Sequence, residues 1–403
     1  MQSKAFDSIR GVLIIVFSLF LAFDFKIVNL VLIALIILSL VDYTKSKKLI
    51  RTFYEENKRF ISVYFLFVGY QLTIATIGHD LGDRRTGLLF LSLLIPVVLT
   101  LSNQLNTILK SFIGALTLVV LLGIVQLANY YLSSEYFVLT VGGHIDKLLI
   151  VARPFLSYML AIGSFISMYL YQREVKYRIL YLLLPFIYSA YIVFIGNRIQ
   201  VLSLLMVLVL YFICYLKRGI WYKIGGICLG FICFAGIFSL SDTLQSRFEL
   251  ESLNSRNVLG NLSHKEPRVE IWKCAHGVVK EESFDPFFGL KNKRVLENKM
   301  ESCYVTKTVD NPMHQYFLEA KFDTHNQFLE YYVLTGIFGV IGFCILFFVL
   351  GLRAKDYFIP MAILVLLFNF NLVENLLDTQ LGTYMVGFSF FLIFSFSRQT
   401  FSK

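Results

Sequence analysis

The sequence has 403 residues, of which 57% are hydrophobic and only 16% are charged. Soluble domains usually carry about 25% charged residues, so this composition excludes an ordinary soluble domain and indicates a membrane protein. The formal net charge of +10 could indicate a nucleic-acid partner. Basic residues in membrane proteins more often mark cytoplasmic loops, and their placement between apolar stretches favours that interpretation, so no nucleic-acid partner is predicted.

Apolar stretches long enough to cross a bilayer core of about 30 Å, or nearly so when tilted, recur along the chain. The first one leads through a short polar stretch into the next, which predicts a retained span and not a cleavable signal sequence. The sequence therefore predicts an all-α polytopic membrane protein with about twelve transmembrane helices. The predicted spans lie at residues 9–23, 27–41, 60–78, 87–104, 111–132, 154–171, 179–196, 199–216, 222–240, 328–352, 357–373 and 381–397.

The basic residues of the short loops predict the orientation. If the N-terminus is cytoplasmic, most of these residues face the cytoplasm, including the basic run from Lys45 to Arg59. The positive-inside rule then predicts that both termini are cytoplasmic. The long polar segment 241–326, between spans nine and ten, falls on the extracytoplasmic side. The chain thus divides into spans one to nine at 1–240, this loop domain, and spans ten to twelve at 327–403.

His325 is the first candidate for chemistry. Thr324, followed three residues later by Gln327, matches a capping box that opens the tenth span. His325 would then lie in the first helical turn, where the helix dipole disfavours the imidazolium. A neutral imidazole at the membrane surface can act as a general base. The alternative is a histidine of the capping region that makes only a structural hydrogen bond.

Arg268 is the second candidate. Pro267 suits the first position of a helix, and Arg268 then shares a helical face with Trp272 and other apolar residues. A guanidinium on a buried or membrane-facing surface is unfavourable unless it meets an anion. The alternative is an arginine that extends to the surface and pairs with a carboxylate such as Glu270 or Glu281.

Two more arginines are predicted at the extracytoplasmic interface. Arg198 follows the seventh span, and Arg153 precedes Pro154 at the start of the sixth. Arginine at a membrane boundary is commonly an anchor, but the positive-inside rule makes basic residues less expected on this side. Two or three converging arginines would suit a diphosphate, because each planar guanidinium can bind phosphate oxygens bidentately.

Cys274 and Cys303 are the two cysteines of the large loop. An oxidising compartment permits a disulfide that closes this loop, and two free thiols are an equal alternative. No Cys-x-x-Cys or His-Glu-x-x-His spacing predicts a metal site. The sequence therefore predicts neither a metal nor a cofactor.

Together these segments resemble the O-antigen ligase and O-antigen polymerase superfamily of bacterial envelope glycosyltransferases. Residues 324–330, followed by the glycine-containing run 335–339, are similar to the family's His-Asn motif and the helix behind it. Arg268, in an Arg-x-x-x-Trp context, resembles the family's loop arginine, and Arg198 resembles an arginine at the outer end of an earlier span. The plan of about twelve spans with one large outer loop before the tenth covers the whole chain.

The glycines are the next feature of this resemblance. Gly336, Gly339 and Gly342 recur at every third position of span ten, which indicates close helix packing and not a site. Family members often show Gly-x-Gly after the loop helix. Here Gly289 is retained, but Lys291 occupies the second glycine position, so the sequence departs from the family pattern in this loop.

The resemblance implies a GT-C-like fold and metal-independent transfer of a glycan from undecaprenyl diphosphate to an acceptor hydroxyl. This reaction would take place on the periplasmic face of a bacterial inner membrane. His325 would take the acceptor proton, Arg198 and Arg268 would hold the diphosphate, and Arg153 and Asn326 would assist in substrate binding. Fixed arginines would stabilise the charge that develops on the departing diphosphate.

The acceptor distinguishes two versions of this enzyme. A ligase, which we favour, would use lipid A-core, whereas a polymerase would use another lipid-linked repeat unit. The non-enzyme alternative is a transporter of lipid-linked glycans. A transporter would be expected to carry charged residues along its spans, and the sequence shows no clear example at the middle of a span.

Overall fold

The computed structural model describes residues 2–23, 27–41, 43–80, 84–134, 148–240, 266–308, 314–320 and 322–398. The first part of the predicted loop domain, 241–265, lies outside the described residues. Within the described residues, the helices before the loop are α1 (Gln2–Ala22), α2 (Val28–Val41), α3 (Tyr43–Ile77), α4 (Arg84–Ser102), α5 (Leu105–Ser134), α6 (Arg153–Arg173), α7 (Arg178–Phe194), α8 (Arg198–Leu210) and α9 (Ile220–Leu240).

The rest of the described chain is also helical. The loop helices are α10 (Pro267–Val279), α11 (Lys293–Lys307) and α12 (His314–Ala320), and the last long helices are α13 (Gln327–Ala354), α14 (Phe358–Asn371) and α15 (Gln380–Arg398). A short 3₁₀ turn, Leu376–Asp378, connects α14 to α15. No strand occurs in the described ranges.

Each predicted apolar stretch coincides with one of the long helices. Seven segments are long and apolar enough to cross a membrane by length and composition: Ser46–Ile77, Arg84–Ser102, Leu105–Ser133, Arg153–Arg173, Arg198–Tyr215, Gln327–Ala354 and Gln380–Arg398. Shorter apolar helices lie at Val28–Val41, Arg178–Phe194, Ile220–Ile232 and Phe358–Asn371. The all-helical, multi-pass class is therefore confirmed for the described residues, and the count of about twelve spans stays a prediction.

The third helix is longer than the predicted span. It begins at Tyr43, although the apolar stretch begins only near residue 60. The charged run from Lys45 to Arg59 is helical, because its lysines, glutamates and arginines are good helix formers and no glycine or proline interrupts them. The basic segment that was predicted as a loop is thus a helical extension of α3.

Close packing joins the two halves of the chain. The C-terminal helix α15 packs against α4 and α14, α1 packs against α5, and α13 packs against α3. Aromatic side chains fill several of these contacts, including Phe67 of α3 with Tyr331 of α13, whose ring centroids are 5.2 Å apart. Because lipid tails are as apolar as these side chains, the quality of packing holds such helices together.

Ion pairs mark one end of the bundle, where α5 and α15 carry basic residues. Lys110 of α5 pairs with Glu174 after α6 at 2.7 Å, and Arg398 of α15 pairs with Glu56 of α3 at 3.0 Å. The starts of α6, α8 and α13 lie at the other end, which we call the cavity end. The prediction that the cavity end is extracytoplasmic and that both termini are cytoplasmic stays a prediction.

The loop helices form a small core of their own on the first turns of α13. Its buried members are Ile271, Cys274, Ala275, Val278, Leu296, Met300, Tyr304, Phe317, Val333 and Leu334. A disulfide joins Cys274 of α10 to Cys303 of α11, with the two Cα atoms 5.7 Å apart. Of the two alternatives that the sequence left for these cysteines, the structure contains the disulfide.

Gly336 interrupts α13 and anchors the loop that follows α10. Its φ of 69° and ψ of −169° are not helical, so the helix is kinked at this residue. The backbone carbonyls of Val333 and Leu334 therefore lose their helical partners and accept hydrogen bonds of 2.8 Å from the N–H groups of Leu290 and Lys291. An added Cβ at Gly336 would overlap this loop. The sequence predicted that this glycine permits close helix packing. In the structure it also permits the close approach of the loop backbone to the backbone of α13.

The structure also shows which backbone conformation Lys291 adopts at the position of the second family glycine. Gly289 and Lys291 both have left-handed backbone conformations, with φ of 65° and 66°. Lys291 therefore follows the path that a Gly-x-Gly sequence would favour. A non-glycine residue adopts this conformation at a cost of roughly 1–2 kcal/mol.

Candidate active site

Three arginines line one cavity at the cavity end of the bundle. Arg153 begins α6, Arg198 begins α8, and Arg268 lies in the first turn of α10. The cavity has a volume of about 280 Å³ and is also lined by Glu266 and Glu374. The structure thus brings Arg268 of the loop together with the two arginines that the sequence placed at the extracytoplasmic interface.

A chain of charged side chains runs along this cavity. Arg198 pairs with Glu266, and Glu266 also pairs with Arg268 at 3.1 Å. Arg268 continues to Glu374 at 2.7 Å, and the other oxygen of Glu374 lies 3.0 Å from Nδ1 of His325. The candidate base and the arginine cavity are therefore joined through one carboxylate.

Arg268 also fixes the approach of α10 to the bundle. Its Nε donates a 3.2 Å hydrogen bond to the carbonyl oxygen of Val373, next to Glu374. Trp272, one turn further along α10, donates its indole N–H to the carbonyl oxygen of Thr324 at 3.0 Å. The loop helix therefore contacts the segments on both sides of the His325–Glu374 pair.

The carboxylate partners suggested for Arg268 by the sequence were wrong. Glu270 pairs with Lys273 at 2.7 Å, and Glu281 pairs with Lys299. Residues two positions apart on a helix do not face each other, so Glu270 lies on another face of α10 than Arg268. Arg268 pairs instead with Glu266, two residues before it, and with Glu374, in the segment that follows α14.

His325 lies before α13 and not in its first turn, which corrects the predicted capping box. Asn326 is the N-cap, and its side-chain oxygen accepts hydrogen bonds of 3.0 Å from the N–H groups of Phe328 and Leu329. Asparagine is as good an N-cap as threonine, so the local pattern allowed two starting points. His325 itself has a left-handed backbone with φ of 44°.

The two residues of the predicted capping box make other contacts. The Thr324 hydroxyl donates to Oε2 of Glu330 at 2.8 Å, and Oε1 of Gln327 accepts the N–H of Leu377 at 2.9 Å. Both residues therefore bind neighbouring segments of the fold. Neither caps the helix.

The direction of the pKa shift of His325 also differs from the prediction. Burial favours the neutral imidazole, but the hydrogen bond and charge of Glu374, with the charge of Asp323, outweigh it and raise the pKa of His325 above its ordinary value. The helix dipole was expected to keep the imidazole neutral. The pKa shift is opposite in direction to the one expected from the dipole, because a carboxylate in direct contact has a stronger effect than a helix terminus to which His325 does not belong.

The His325–Glu374 hydrogen bond defines the tautomer of the imidazole. Burial disfavours the Glu374 carboxylate, but His325 and Arg268 together hold the pKa of Glu374 below its ordinary value. An ionised carboxylate can only accept hydrogen bonds, so Nδ1 of His325 must donate to it. Nε2 is then the basic nitrogen of the neutral ring, which is the arrangement that a carboxylate-supported general base requires.

A second charged cluster lies beneath this pair. Lys293, at the start of α11, pairs with Glu330 of α13 and with Asp378 of the 3₁₀ turn, the latter at 2.7 Å. The Glu330 side chain is 1% exposed, and that of Lys293 is 13% exposed. Burial lowers and the two carboxylates raise the pKa of Lys293, with a net increase. The cluster connects the loop helix α11 to α13 and to the 3₁₀ turn between α14 and α15.

Hydrogen bonds link this buried cluster to the residues that adjoin His325 and Glu374 in the sequence. Oε2 of Glu330 accepts the hydroxyl of Thr324 at 2.8 Å and the amide of Asn375 at 3.3 Å. Thr324 precedes His325, and Asn375 follows Glu374. The backbone segments that carry the imidazole and its carboxylate are thus held by the same buried side chain.

Sequence reasoning missed most of the acidic members of the site. Glu374 and Asp378 lie in the short interval between two apolar stretches, where a pair of carboxylates on the predicted outer side was a usable signal. Glu266 directly precedes the Pro-Arg pair that was singled out. Glu330 and Lys293 offered no signal, because their contact joins residues of different helices.

In the part of the chain that the structure describes, no group of three or more His, Cys, Asp or Glu is placed to hold a metal ion. The metal-independent mechanism that the resemblance implies stays a proposal.

The fold and the site define a class of protein: an all-helical, multi-pass membrane protein with an arginine cavity beside a His–Glu pair. A family model described as O-antigen ligase matches residues 180–344, a segment that contains Arg198, Arg268, His325 and Asn326. The resemblance to the O-antigen ligase superfamily is therefore confirmed, and it implies an enzyme of the glycosyltransferase-like ligase or polymerase type. The comparison with curated proteins found no match.

The buried cluster predicts unequal effects for two lysines of α11. Lys293→Met would leave Glu330 and Asp378 without their cation, so we expect a loss of about 3–5 kcal/mol in unfolding free energy near neutral pH. Lys299→Met removes a more exposed pair with Glu281 and should cost at most about 1 kcal/mol. The measurement is the unfolding of purified protein in detergent.

The pH dependence of the unfolding free energy provides the control for this prediction. Burial raises the pKa of Asp378, but the charges of Lys293 and Arg85, with hydrogen bonds to Lys293 and Glu330, outweigh burial and lower it. The part of this stability that Lys293 contributes is therefore present above the ordinary pKa of the carboxyl and is lost as the pH falls. The difference between wild type and Lys293→Met should therefore narrow as the carboxylates become protonated at acidic pH. Equal effects of the two substitutions at every pH would contradict the assignment of a buried ion cluster.

Proposed function

We propose that the cavity end transfers a glycan from an undecaprenyl-diphosphate carrier to an acceptor hydroxyl, as an O-antigen ligase. The observation that carries this proposal is the connection of a histidine base, through Glu374 and Arg268, to a cavity lined by three arginines. Such a site combines a group that accepts a proton with groups that bind an anion. Both are needed when a hydroxyl displaces a diphosphate.

The arginines would bind the diphosphate of the donor. Arg198 and Arg268 both contact Glu266, so Glu266 marks a position at which one anion reaches two guanidinium groups. Burial opposes ionisation of Glu266, but the two arginines outweigh it and lower its pKa. A diphosphate has more charge and more acceptor oxygens than a carboxylate, so it would compete with Glu266 for both arginines. Arg153 lines the same cavity and would be a third contact.

His325 would take the proton of the acceptor. The acceptor oxygen attacks the anomeric carbon, the bond from that carbon to the diphosphate oxygen breaks, and the bonding electron pair leaves with the diphosphate. The hydroxyl proton passes to Nε2 of His325, and Glu374 stabilises the resulting imidazolium through Nδ1. The fixed guanidinium groups stabilise the negative charge that develops on the leaving group.

Asn326 would act mainly through the position of His325. Its side-chain oxygen is engaged as the N-cap of α13, so a direct contact with substrate would come from its amide nitrogen. By fixing the start of α13, Asn326 also fixes the left-handed residue before it. The resemblance implies that Asn326 binds the substrate. We propose that it does so through its amide nitrogen and that it also fixes the position of His325.

The acceptor and the location complete the proposal. We propose lipid A-core as the acceptor, an inner-membrane location, cytoplasmic termini and a periplasmic cavity end, in contact with membrane lipids. A polymerase would use the same residues with a second lipid-linked repeat unit as the acceptor. The glycan ladder of a deletion strain distinguishes the two, because loss of a ligase removes all polymer from lipid A-core, whereas loss of a polymerase leaves single repeats attached.

The general-base role predicts the effect of removing the imidazole. His325→Ala should reduce the transfer rate per folded molecule by roughly 10²- to 10⁴-fold, while the protein still binds the lipid-linked donor. The matched control is His276→Ala, an exposed histidine of α10, which should retain normal transfer. Full specific activity of His325→Ala would eliminate the base, and failure to bind donor would move His325 into the diphosphate site.

The diphosphate role predicts that lysine cannot replace Arg268. The guanidinium contacts Val373, Glu266 and Glu374 through three different nitrogens, and a single ammonium cannot reproduce this fork. Arg268→Lys should therefore impair donor binding and transfer by about tenfold or more, although the charge is kept. Arg294→Lys, on an exposed face of α11, serves as the control and should bind and transfer normally. Near-normal transfer by Arg268→Lys at equal expression would remove this role.

A further inference from the structure

Gln200 is a buried polar side chain that the proposed mechanism does not use. It lies in the first turn of α8, two residues after Arg198, and it lines the arginine cavity. Its relative exposure is 0%. In the part of the chain that the structure describes, neither the oxygen nor the nitrogen of its side-chain amide has a hydrogen-bond partner.

An amide with both ends unpartnered is unusual in a protein interior. Buried polar groups are nearly always hydrogen-bonded, because an unmet donor or acceptor loses its hydrogen bonds to water without replacement. Other buried amides in the described ranges each keep one bonded end: Gln327 accepts from Leu377, and Asn371 donates to the carbonyl of Leu367. Gln200 differs from these two because both ends lack a partner, so its amide calls for an external partner.

A capping role does not account for this side chain. Asn197 is the N-cap of α8, and its side chain accepts the N–H of Gln200 at 3.2 Å. In a capping box, Gln200 would return a bond to the N–H of Asn197. That N–H donates instead to the carbonyl oxygen of Ile192 at 3.3 Å. The Gln200 amide is therefore not engaged by its own helix.

The chemistry of an amide indicates what could satisfy it. Its nitrogen only donates and its oxygen only accepts, so a full partner must both accept and donate. A diphosphate oxygen could meet the nitrogen alone, and its charge would oppose the amide oxygen. A sugar hydroxyl or an acetamido group can meet both ends.

We propose that Gln200 binds the sugar that is attached directly to the diphosphate of the donor. This inference rests on the proposed function, in which Arg198 and Arg268 hold the diphosphate. Gln200 lines the same cavity as Arg198 and Arg268, so a sugar attached to a diphosphate held by these arginines would lie within that cavity beside Gln200. Arg198 would then bind the charged part of the donor, and Gln200 would distinguish a glycosylated lipid from the free carrier.

The test compares two lipids and one substitution. The probes are a polyprenyl diphosphate that carries one N-acetylated sugar and the same polyprenyl diphosphate without a sugar. Wild type should bind the glycosylated lipid more tightly. Gln200→Met, which keeps the length of the side chain but removes the amide, should weaken binding of that lipid by about tenfold to a hundredfold. Its affinity for the sugar-free lipid should not change.

Stability gives a readout that a structural role would not produce. Because an unpartnered amide is unfavourable in the interior, Gln200→Met without lipid should unfold at the same or a higher temperature than wild type. A structural glutamine would lower that temperature when it is removed. Ser203→Ala, one turn further along α8, is the control and should leave the affinities for both lipids unchanged. Gln200→Leu replaces Gln200→Met if the methionine variant does not fold.

The outcomes separate this inference from the proposed function. Equal weakening of both lipids would assign Gln200 to the diphosphate and overturn the sugar contact. Unchanged affinity for both lipids, or a clearly lower unfolding temperature, would also overturn it while the arginine site stands. Failure of wild type to bind either lipid would overturn the proposed function itself.

Discussion

The structure of the site depends on one carboxylate, that of Glu374. Its two oxygens bind Arg268, from the loop helix α10, and His325, from the segment just before α13. An arginine and a histidine at this depth would be unfavourable as isolated charges, and a single anion between them satisfies both. The position of the base and the position of one diphosphate-binding arginine are consequently linked. A displacement of either segment would change both functions of the site.

Different forces hold the two parts of the molecule. The long helices are joined by the packing of apolar and aromatic side chains, which is the main source of affinity between helices in lipid. The loop helices are joined to the bundle by buried charges, above all Lys293 with Glu330 and Asp378, and by the bonds of the α10–α11 loop to the kink at Gly336. These polar contacts hold the loop helices against the bundle, so that Arg268 of α10 lies at the cavity. The long helices keep the apolar packing that is typical of a membrane protein.

The sequence predicted the helices well and the contacts of the site poorly, for physical reasons. An apolar stretch determines a membrane helix locally, so each predicted stretch coincided with a helix. The partner of Arg268, Glu374, is distant in the chain, and no local pattern indicates such a contact. His325 was assigned to the wrong position because Thr324 and Asn326 are both good N-caps, and the expected direction of its pKa shift followed from that error. No local pattern in the sequence singles out Gln200, because only the three-dimensional structure shows that its side-chain amide has no hydrogen-bond partner among the described residues.

The central claim is that Glu374 supports His325 as the general base. The most direct measurement is the pH dependence of kcat/KM for glycan transfer by reconstituted wild type and Glu374→Gln. Removal of the carboxylate charge leaves burial, the largest effect, and Arg268, which both lower the pKa of His325, against the charge of Asp323 alone, which raises it. The account therefore predicts that the rise of kcat/KM with pH moves to lower pH in Glu374→Gln, with a lower maximum rate. An unchanged profile, or a shift to higher pH, would contradict it.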